Sequence, residues 1–80
     1  MYDVALSEPH FFRCFKHEFG VTPVEFILEL RIRAARTMLQ TTDESIKEIS
    51  FSCGFNNLNF FLKMFKRYTG LTPTQYRNLL

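Results

Sequence analysis

The 80-residue chain matches itself when it is shifted by fifty positions. Self-similarity at one fixed spacing is the signature of a supersecondary unit that occurs more than once. The identical pairs are Phe11 with Phe61, Phe15 with Phe65, Lys16 with Lys66, Gly20 with Gly70, Thr22 with Thr72, and Pro23 with Pro73. The conservative pairs include Val21 with Leu71 and Phe26 with Tyr76. The chain must therefore build the same local structure twice.

Each copy carries the same signals for ending one helix and starting another. Gly20 and Gly70 each stop an amphipathic run, since glycine readily takes the left-handed conformation that ends a helix. A Thr-Pro pair follows, with Glu25 or Gln75 two residues beyond the proline; this arrangement forms a capping box. The first copy is predicted to open a continuous helix over residues 23–40. Its expected apolar side consists of Phe26, Ile27, Leu30, Ala34, Met38 and Leu39.

The second copy also shows what precedes these signals. Ser45 and Glu48 form another capping box, and the short helix that they start ends at Gly54. Asn57 then caps an amphipathic helix that ends at Gly70. A short helix, a turn containing glycine and a second amphipathic helix are typical of a helix-turn-helix unit. The inward residues are expected to be Ile46, Ile49 and Cys53 in the first helix, Phe55 in the turn, and Phe61, Met64, Phe65 and Tyr68 in the second helix.

These patterns predict an all-α fold with two helix-turn-helix units joined by a long linker helix. Residues 1–20 form the first unit, which is partial because only residues 2–5 represent its opening helix. Residues 23–40 form the linker helix, 45–69 the second unit and 73–80 a C-terminal helix, within a single DNA-binding domain over 1–80. The core is expected to include Phe15, Leu30, Ile49, Phe55, Phe61 and Phe65.

The charge distribution favours the second unit as the partner of phosphate. Residues 1–48 carry six basic and eight acidic side chains, whereas residues 49–80 carry four basic side chains and no acid. The sequence has neither a signal peptide nor an apolar run near the roughly 20 residues that cross a bilayer, so we expect a cytoplasmic protein. The two cysteines, Cys14 and Cys53, are expected to be reduced and buried.

Catalysis and metal binding find little support in the sequence. Such a short chain leaves little room for a walled active-site cleft, and no nucleophile-base set, carboxylate pair or phosphate-binding glycine loop is present. We therefore expect a non-enzyme without cofactors. His10, Cys14 and His17 share a helical stripe, but structural zinc needs four ligands and Cys53 lies in another helix. The main alternative to DNA binding is a helical protein-interaction module, which as a solenoid would need at least three repeats.

The motifs together resemble the C-terminal DNA-binding domain of the AraC/XylS family of bacterial transcription regulators. The second unit contributes Ile46-x-x-Ile49, Gly54-Phe55, Phe61-x-x-x-Phe65-Lys66, Gly70-x-Thr72-Pro73 and Tyr76-Arg77. Upstream, Phe15-Lys16, Gly20-x-x-Pro23 and Arg31-x-x-x-Ala35-x-x-x-Leu39 also look like the family. The resemblance implies promoter DNA and RNA polymerase as partners, and a domain for effector binding or dimerisation outside this chain. Because family domains usually begin with a further helix, it also implies an N-terminally truncated domain.

A recognition helix places exposed residues of its first turns at base edges in the major groove. The expected base-reading residues are Pro9, His10, Phe12 and Arg13 in the first unit, and Leu58, Asn59, Phe60 and Lys63 in the second. Arginine suits guanine, asparagine suits adenine and apolar side chains suit the thymine methyl group. The expected phosphate contacts are Lys16, Ser45, Asn57, Lys66 and Arg67. The alternatives are ordinary solvated charges and, for Phe12 and Phe60, packing against a further helix or a partner domain.

Overall fold

A computed structural model describes residues 9–79, with side chains from residue 12 onward. This part of the chain forms five helices and no strand, so the all-α prediction is confirmed. The helices are α1 (Pro9–Phe19), α2 (Pro23–Thr41), α3 (Ile46–Ser52), α4 (Leu58–Thr69) and α5 (Pro73–Asn78). The expected remnant of an opening helix at residues 2–5 lies outside the described residues.

The two Thr-Pro segments start α2 and α5 with almost the same geometry. Thr22 and Thr72 both have φ of −73°, with ψ of 160° and 158°. Each threonine hydroxyl accepts a hydrogen bond from the backbone N–H three residues later, that of Glu25 or Gln75, at 3.2 and 3.1 Å. The Glu25 and Gln75 side chains accept in return from the threonine N–H groups at 2.9 and 3.0 Å. Both capping boxes are confirmed, as is the continuous linker helix.

The buried core belongs mainly to the second unit and the face of α2 that packs on it. It contains Ile32, Ala35, Leu39, Ile49, Cys53, Phe55, Phe61, Met64 and Phe65. The rings of Phe55 and Phe61 lie 5.0 Å apart between centroids, and those of Phe61 and Phe65 lie 5.7 Å apart. The core positions predicted for Ile49 and these three phenylalanines are therefore correct. This packing fixes α4 against α2 and the α3–α4 turn.

The predicted apolar side of α2 is partly wrong. Leu30 is 46% exposed, Phe26, Ile27 and Ala34 are also exposed, and the buried stripe is Ile32, Ala35 and Leu39. At about 100° per residue, Leu30 lies roughly 200° around the helix from Ile32. The helix thus has two apolar faces, and the sequence interpretation merged them into one. Met38 and Leu28 pack against the buried stripe as partly buried residues.

Two expectations for the first unit are also corrected. Phe15 is half-buried rather than a core residue, because its ring packs on Phe19 and Phe26, which are themselves exposed. Cys14 is exposed on α1, whereas Cys53 is buried as expected. The first unit therefore contributes a small aromatic cluster outside the main core.

The C-terminal helix is tied to the end of the linker helix. The Arg77 guanidinium donates to the carbonyl oxygens of Leu39 and Thr42 at 3.5 and 3.2 Å. These carbonyls lie at the C-terminal end of α2, where a positive charge is favourable. The Tyr76 hydroxyl accepts from Gln40 at 3.0 Å. Arg77 thus has a structural partner, although the sequence counted it among the charges that attract phosphate.

Candidate nucleic-acid interface

Helix α4 presents a polar, cationic face opposite its buried one. The buried residues are Phe61, Met64 and Phe65, whereas Asn59, Lys63, Lys66 and Arg67 are exposed. Asn59, Lys63 and Lys66 follow one another at spacings of four and three, so they share one side of the helix. Since α4 contains no acidic residue, all the charged side chains on this face are positive. Four of the residues predicted for the interface are brought together here.

Two apolar residues predicted to read bases in the second unit differ in accessibility. Leu58 is half-buried and packs against the core, so only part of its side chain is open to a ligand. Phe60 is 45% exposed, and its ring centroid lies 6.1 Å from that of Phe55. One side of the Phe60 ring is thus supported by the turn, and the rest is available for an apolar contact.

The two helix-cap residues predicted to contact phosphate already hold backbone groups. Asn57 Oδ1 accepts from the N–H of Phe60 at 2.9 Å, which leaves the Asn57 amide nitrogen as a donor. Ser45 Oγ accepts from the N–H of Glu48 at 3.1 Å and donates to the Glu48 carboxylate at 3.3 Å. A phosphate at Ser45 would have to compete with that carboxylate. Asn57 is therefore the better placed of the two caps.

Helix α1 carries the equivalent cations of the first unit. Arg13 and Lys16 are exposed, and the shift of fifty residues pairs them with Lys63 and Lys66. Phe12 is half-buried, so its availability as an apolar contact is smaller than the sequence indicated. The side chains of Pro9 and His10 lie outside the described part of the chain. Within that part, α1 thus repeats two of the cationic positions of α4.

The sequence interpretation missed two residues close to these cations. His17 is exposed and pairs with Arg67 under the same shift, so the repeat itself was a signal for it. Glu25 was assigned only to a helix cap. The hydrogen bonds that it accepts from the backbone and side chain of Thr22 lower the pKa of its carboxyl, and the charges of Lys16 and Arg67 lower it further. This carboxylate is therefore within electrostatic reach of a cation from each unit.

The three arginines of the linker helix have different surroundings from one another. Arg33 forms an ion pair with Glu29 at 3.8 Å, and the Arg36 guanidinium lies 5.8 Å from the centre of the Tyr76 ring. Arg31 lies against Gly54, whose φ is +97°. A Cβ atom added to Gly54 would lie 3.0 Å from the Nε atom of Arg31. Arg31 and Gly54 thus join the linker helix to the turn between α3 and α4.

No group of three side chains able to hold a metal ion occurs among the described residues. Cys14 and His17 are both exposed on α1, whereas Cys53 is buried in the core of the second unit.

Comparison with known proteins identifies the family. A family model described as a helix-turn-helix domain matches residues 3–79. The chain is 36% identical over 78 residues to the bifunctional transcriptional activator/DNA repair enzyme AdaA of Bacillus subtilis. It also superposes, with a TM-score of 0.83 and 35% identity, on a transcriptional regulator from Chromobacterium violaceum that has an AraC-type DNA-binding domain. That match covers 96% of this chain and 69% of the other. This chain is an AraC-type helix-turn-helix domain.

Further relatives of this AraC-type domain are regulators too. The transcriptional activator RhaR of Salmonella arizonae is 40% identical over 65 residues, covering 81% of this chain. The DNA-binding domain of AdpA, solved in complex with a target DNA, is 30% identical with a TM-score of 0.82, covering 88% of this chain and 63% of that one. The match to AdaA covers 96% of this chain but 37% of AdaA, and the match to RhaR covers 23% of RhaR. The chain therefore spans well under half of these curated relatives.

None of the five described helices is both long enough and apolar enough to cross a membrane.

Proposed function

We propose that this domain is the promoter-reading part of a bacterial transcription regulator and that it binds a site in two parts. The observation that carries the proposal is the repetition of a cationic helix face: Arg13 and Lys16 on α1 correspond to Lys63 and Lys66 on α4. Two recognition helices connected through one scaffold can enter successive major-groove segments on the same side of a duplex.

The linker helix supports this arrangement by its length. Its 19 residues correspond to about 28 Å at 1.5 Å per residue. Successive major-groove segments on one side of DNA are about 34 Å apart. The mismatch is small enough for a modest bend in the duplex to close, since bending brings the two groove segments nearer to one protein face. A monomer would then read a non-palindromic site.

The base edges would be read by Pro9, His10, Phe12 and Arg13 on α1 and by Leu58, Asn59, Phe60 and Lys63 on α4. Arg13 and Asn59 have the groups that pair with guanine and adenine, each contributing about 1 to 3 kcal/mol of discrimination. Lys16, Ser45, Asn57, Lys66 and Arg67 would contact phosphate and set the orientation of the protein without reading sequence.

The roles of the whole regulator extend this proposal. AdaA and RhaR are transcriptional activators by name, so we propose activation, with RNA polymerase as the partner. We propose that the whole regulator also has a region for effector binding or dimerisation outside this domain. The domain itself would act without catalysis or a cofactor, and a promoter target in a bacterium places it in the cytoplasm.

The alternative, a protein-interaction module, is tested by the salt dependence of DNA binding. Binding of the chain to a duplex is measured by fluorescence anisotropy at two or more salt concentrations. Release of counterions makes the logarithm of the association constant fall by about 0.9 per phosphate contact for each tenfold rise in salt. We expect a slope that corresponds to several phosphate contacts. Binding to a duplex that is absent at low salt would contradict the proposed function.

The two-part site is tested with an operator that is selected in vitro from random duplexes by binding to the chain. The selected operator is then altered in one half at a time. Lys63→Ala should relax preference in one half, Arg13→Ala should relax it in the other, and each should cost about 1 to 3 kcal/mol on the intact site. Lys66→Ala is the matched control, because loss of a phosphate contact should weaken all sequences alike. If Arg13→Ala and Lys63→Ala relax the same base pairs, the two helices do not read separate halves.

A further inference from the structure

An acidic side chain, Glu25, stands next to Phe26, whose ring contacts Phe15 of α1 at 5.6 Å between centroids, and Phe15 immediately precedes Lys16. Glu25 stands in the first turn of α2, where its carboxylate accepts hydrogen bonds from the N–H and the hydroxyl of Thr22 at 2.9 and 3.2 Å. These bonds hold the carboxylate in one place instead of letting it swing into solvent. The bonds to Thr22 lower the pKa of this carboxyl most, and the positive charges of Lys16 on α1 and Arg67 on α4 lower it further.

The segment fifty residues later, which we call the second repeat, shows that helix capping does not require this charge. Gln75 occupies the equivalent position and accepts from Thr72 N–H at 3.0 Å, closing the same box with a neutral amide. The neighbouring rings are placed alike, since Phe15 and Phe26, and likewise Phe65 and Tyr76, lie 5.6 Å apart between centroids. The negative charge at Glu25 is therefore an addition to a local structure that works without it.

We propose that Glu25 limits the phosphate-driven affinity of the DNA interface by partly neutralising Lys16 and Arg67. This inference rests on the proposed DNA-binding function and names an affinity-determining residue that does not itself touch a base. A fixed negative charge repels the phosphates that the two cations attract, and phosphate contacts carry most of the binding to any sequence. Glu25 thus weakens attachment to DNA in general, which shortens the time spent at unrelated sites.

The proposal is tested with Glu25→Gln, which reproduces in the first repeat the side chain that the second repeat already uses. Binding of the chain to a scrambled duplex and to the selected operator is followed by fluorescence anisotropy over a range of salt. Both duplexes should be bound about three- to tenfold more tightly at low salt, with a salt slope steeper by up to about 0.9, the value for one phosphate contact. Because Gln75 closes an equivalent box with a neutral amide, Glu25→Gln should lower the melting temperature at neutral pH only slightly.

Two further variants separate this local effect from net charge and from folding. Glu29→Gln makes the same charge change on the same helix, beside Arg33 instead of Lys16 and Arg67, and should alter binding less than about twofold because exposed charges are screened by salt. Gln75→Glu adds an acid at the equivalent position of the second repeat and should weaken binding to both duplexes. It carries the test even if Glu25→Gln unfolds part of the chain.

The possible results discriminate between the two proposals. If Glu25→Gln binds no more tightly than Glu29→Gln, or if Gln75→Glu binds like the unmodified chain, the role of Glu25 is overturned and the DNA-binding function stands. If the unmodified chain does not bind a duplex at any salt concentration, the proposed function fails first and the role of Glu25 fails with it.

Discussion

In the first repeat the ring of Phe15 contacts Phe26, and in the second the ring of Phe65 contacts Tyr76, at the same centroid distance of 5.6 Å. Phe65 is nevertheless completely buried, whereas Phe15 is half-buried beside Phe19, which is 59% exposed. Equal pair geometry therefore coexists with unequal burial. The free energy that a ring contributes follows the apolar area removed from water, so the two equivalent phenylalanines should differ in their effect on stability.

The difference arises from what packs behind each pair. In the second repeat, Phe55 of the turn after α3 packs its ring on Phe61, and Ile49 of α3 is buried in the same core. Arg77 holds α5 in place. In the first repeat, the aromatic cluster of Phe15, Phe19 and Phe26 lies between α1 and the start of α2. Local signals thus create the same helix pair twice, and the surrounding helices decide how far each pair is buried.

The largest expected effect is the loss of the Phe65 ring. Phe65→Ala should lower the free energy of unfolding by about 3 to 5 kcal/mol, because it leaves a cavity in a close-packed core. Phe15→Ala removes the same atoms from a half-buried position and should lower it by about 1 kcal/mol. Urea denaturation followed by circular dichroism measures both. Equal losses for the two variants would mean that the first repeat is as tightly packed as the second.

Hydrogen exchange should reveal the same asymmetry without a mutation. Amides of α1 should exchange at least about tenfold faster than those of α4, since segments with few buried apolar contacts open with a smaller free energy than the core. Gly20 and Gly70 end their helices in the same left-handed conformation, so differences in helix termination do not explain the result. Uniform protection across α1 and α4 would contradict the comparison and indicate one cooperative unit.

Smaller effects are expected at the two Thr-Pro caps. Thr72→Ala should cost about 1 kcal/mol of global stability, the usual contribution of an N-cap hydroxyl. Thr22→Ala removes the same hydroxyl from the same geometry. If the first repeat opens separately, its main effect should be faster exchange in α1 and at the start of α2, with a smaller change in the global transition. Two identical shifts in the denaturation midpoint would argue against separate opening.

The sequence predicted local features better than it predicted burial. Thr22 with Glu25 and Thr72 with Gln75 could be recognised as caps because all the interacting groups lie within one helical turn. Leu30 could not be placed correctly from periodicity, since α2 has apolar residues on two faces and only tertiary packing decides which face is buried. The exposed position of Cys14 could not be predicted either, because it also depends on tertiary packing. For the interface, the pattern of α4 was enough to predict that Asn59, Lys63 and Lys66 are exposed. The influence of Lys16 and Arg67 on the Glu25 carboxyl could not be predicted in this way, because these residues lie on separate helices.

The last and smallest expected effect concerns the acid side of the stability profile. The pKa of the Glu25 carboxyl is lowered by its bonds to Thr22, with further contributions from Lys16 and Arg67. Folding therefore favours the charged form, so this contribution is fully present above the carboxyl's ordinary pKa and is lost as the pH falls through its lower folded value. Glu25→Gln should accordingly make thermal stability less dependent on pH in the acidic range. Gln75→Glu, which places a carboxylate in an equivalent box, should make it more dependent.

Melting curves between neutral pH and about pH 3 measure both effects, which should stay small because exposed charges are screened by solvent. Parallel loss of stability in the unmodified chain and in both variants would show that neither box is sensitive to the charge of its third residue.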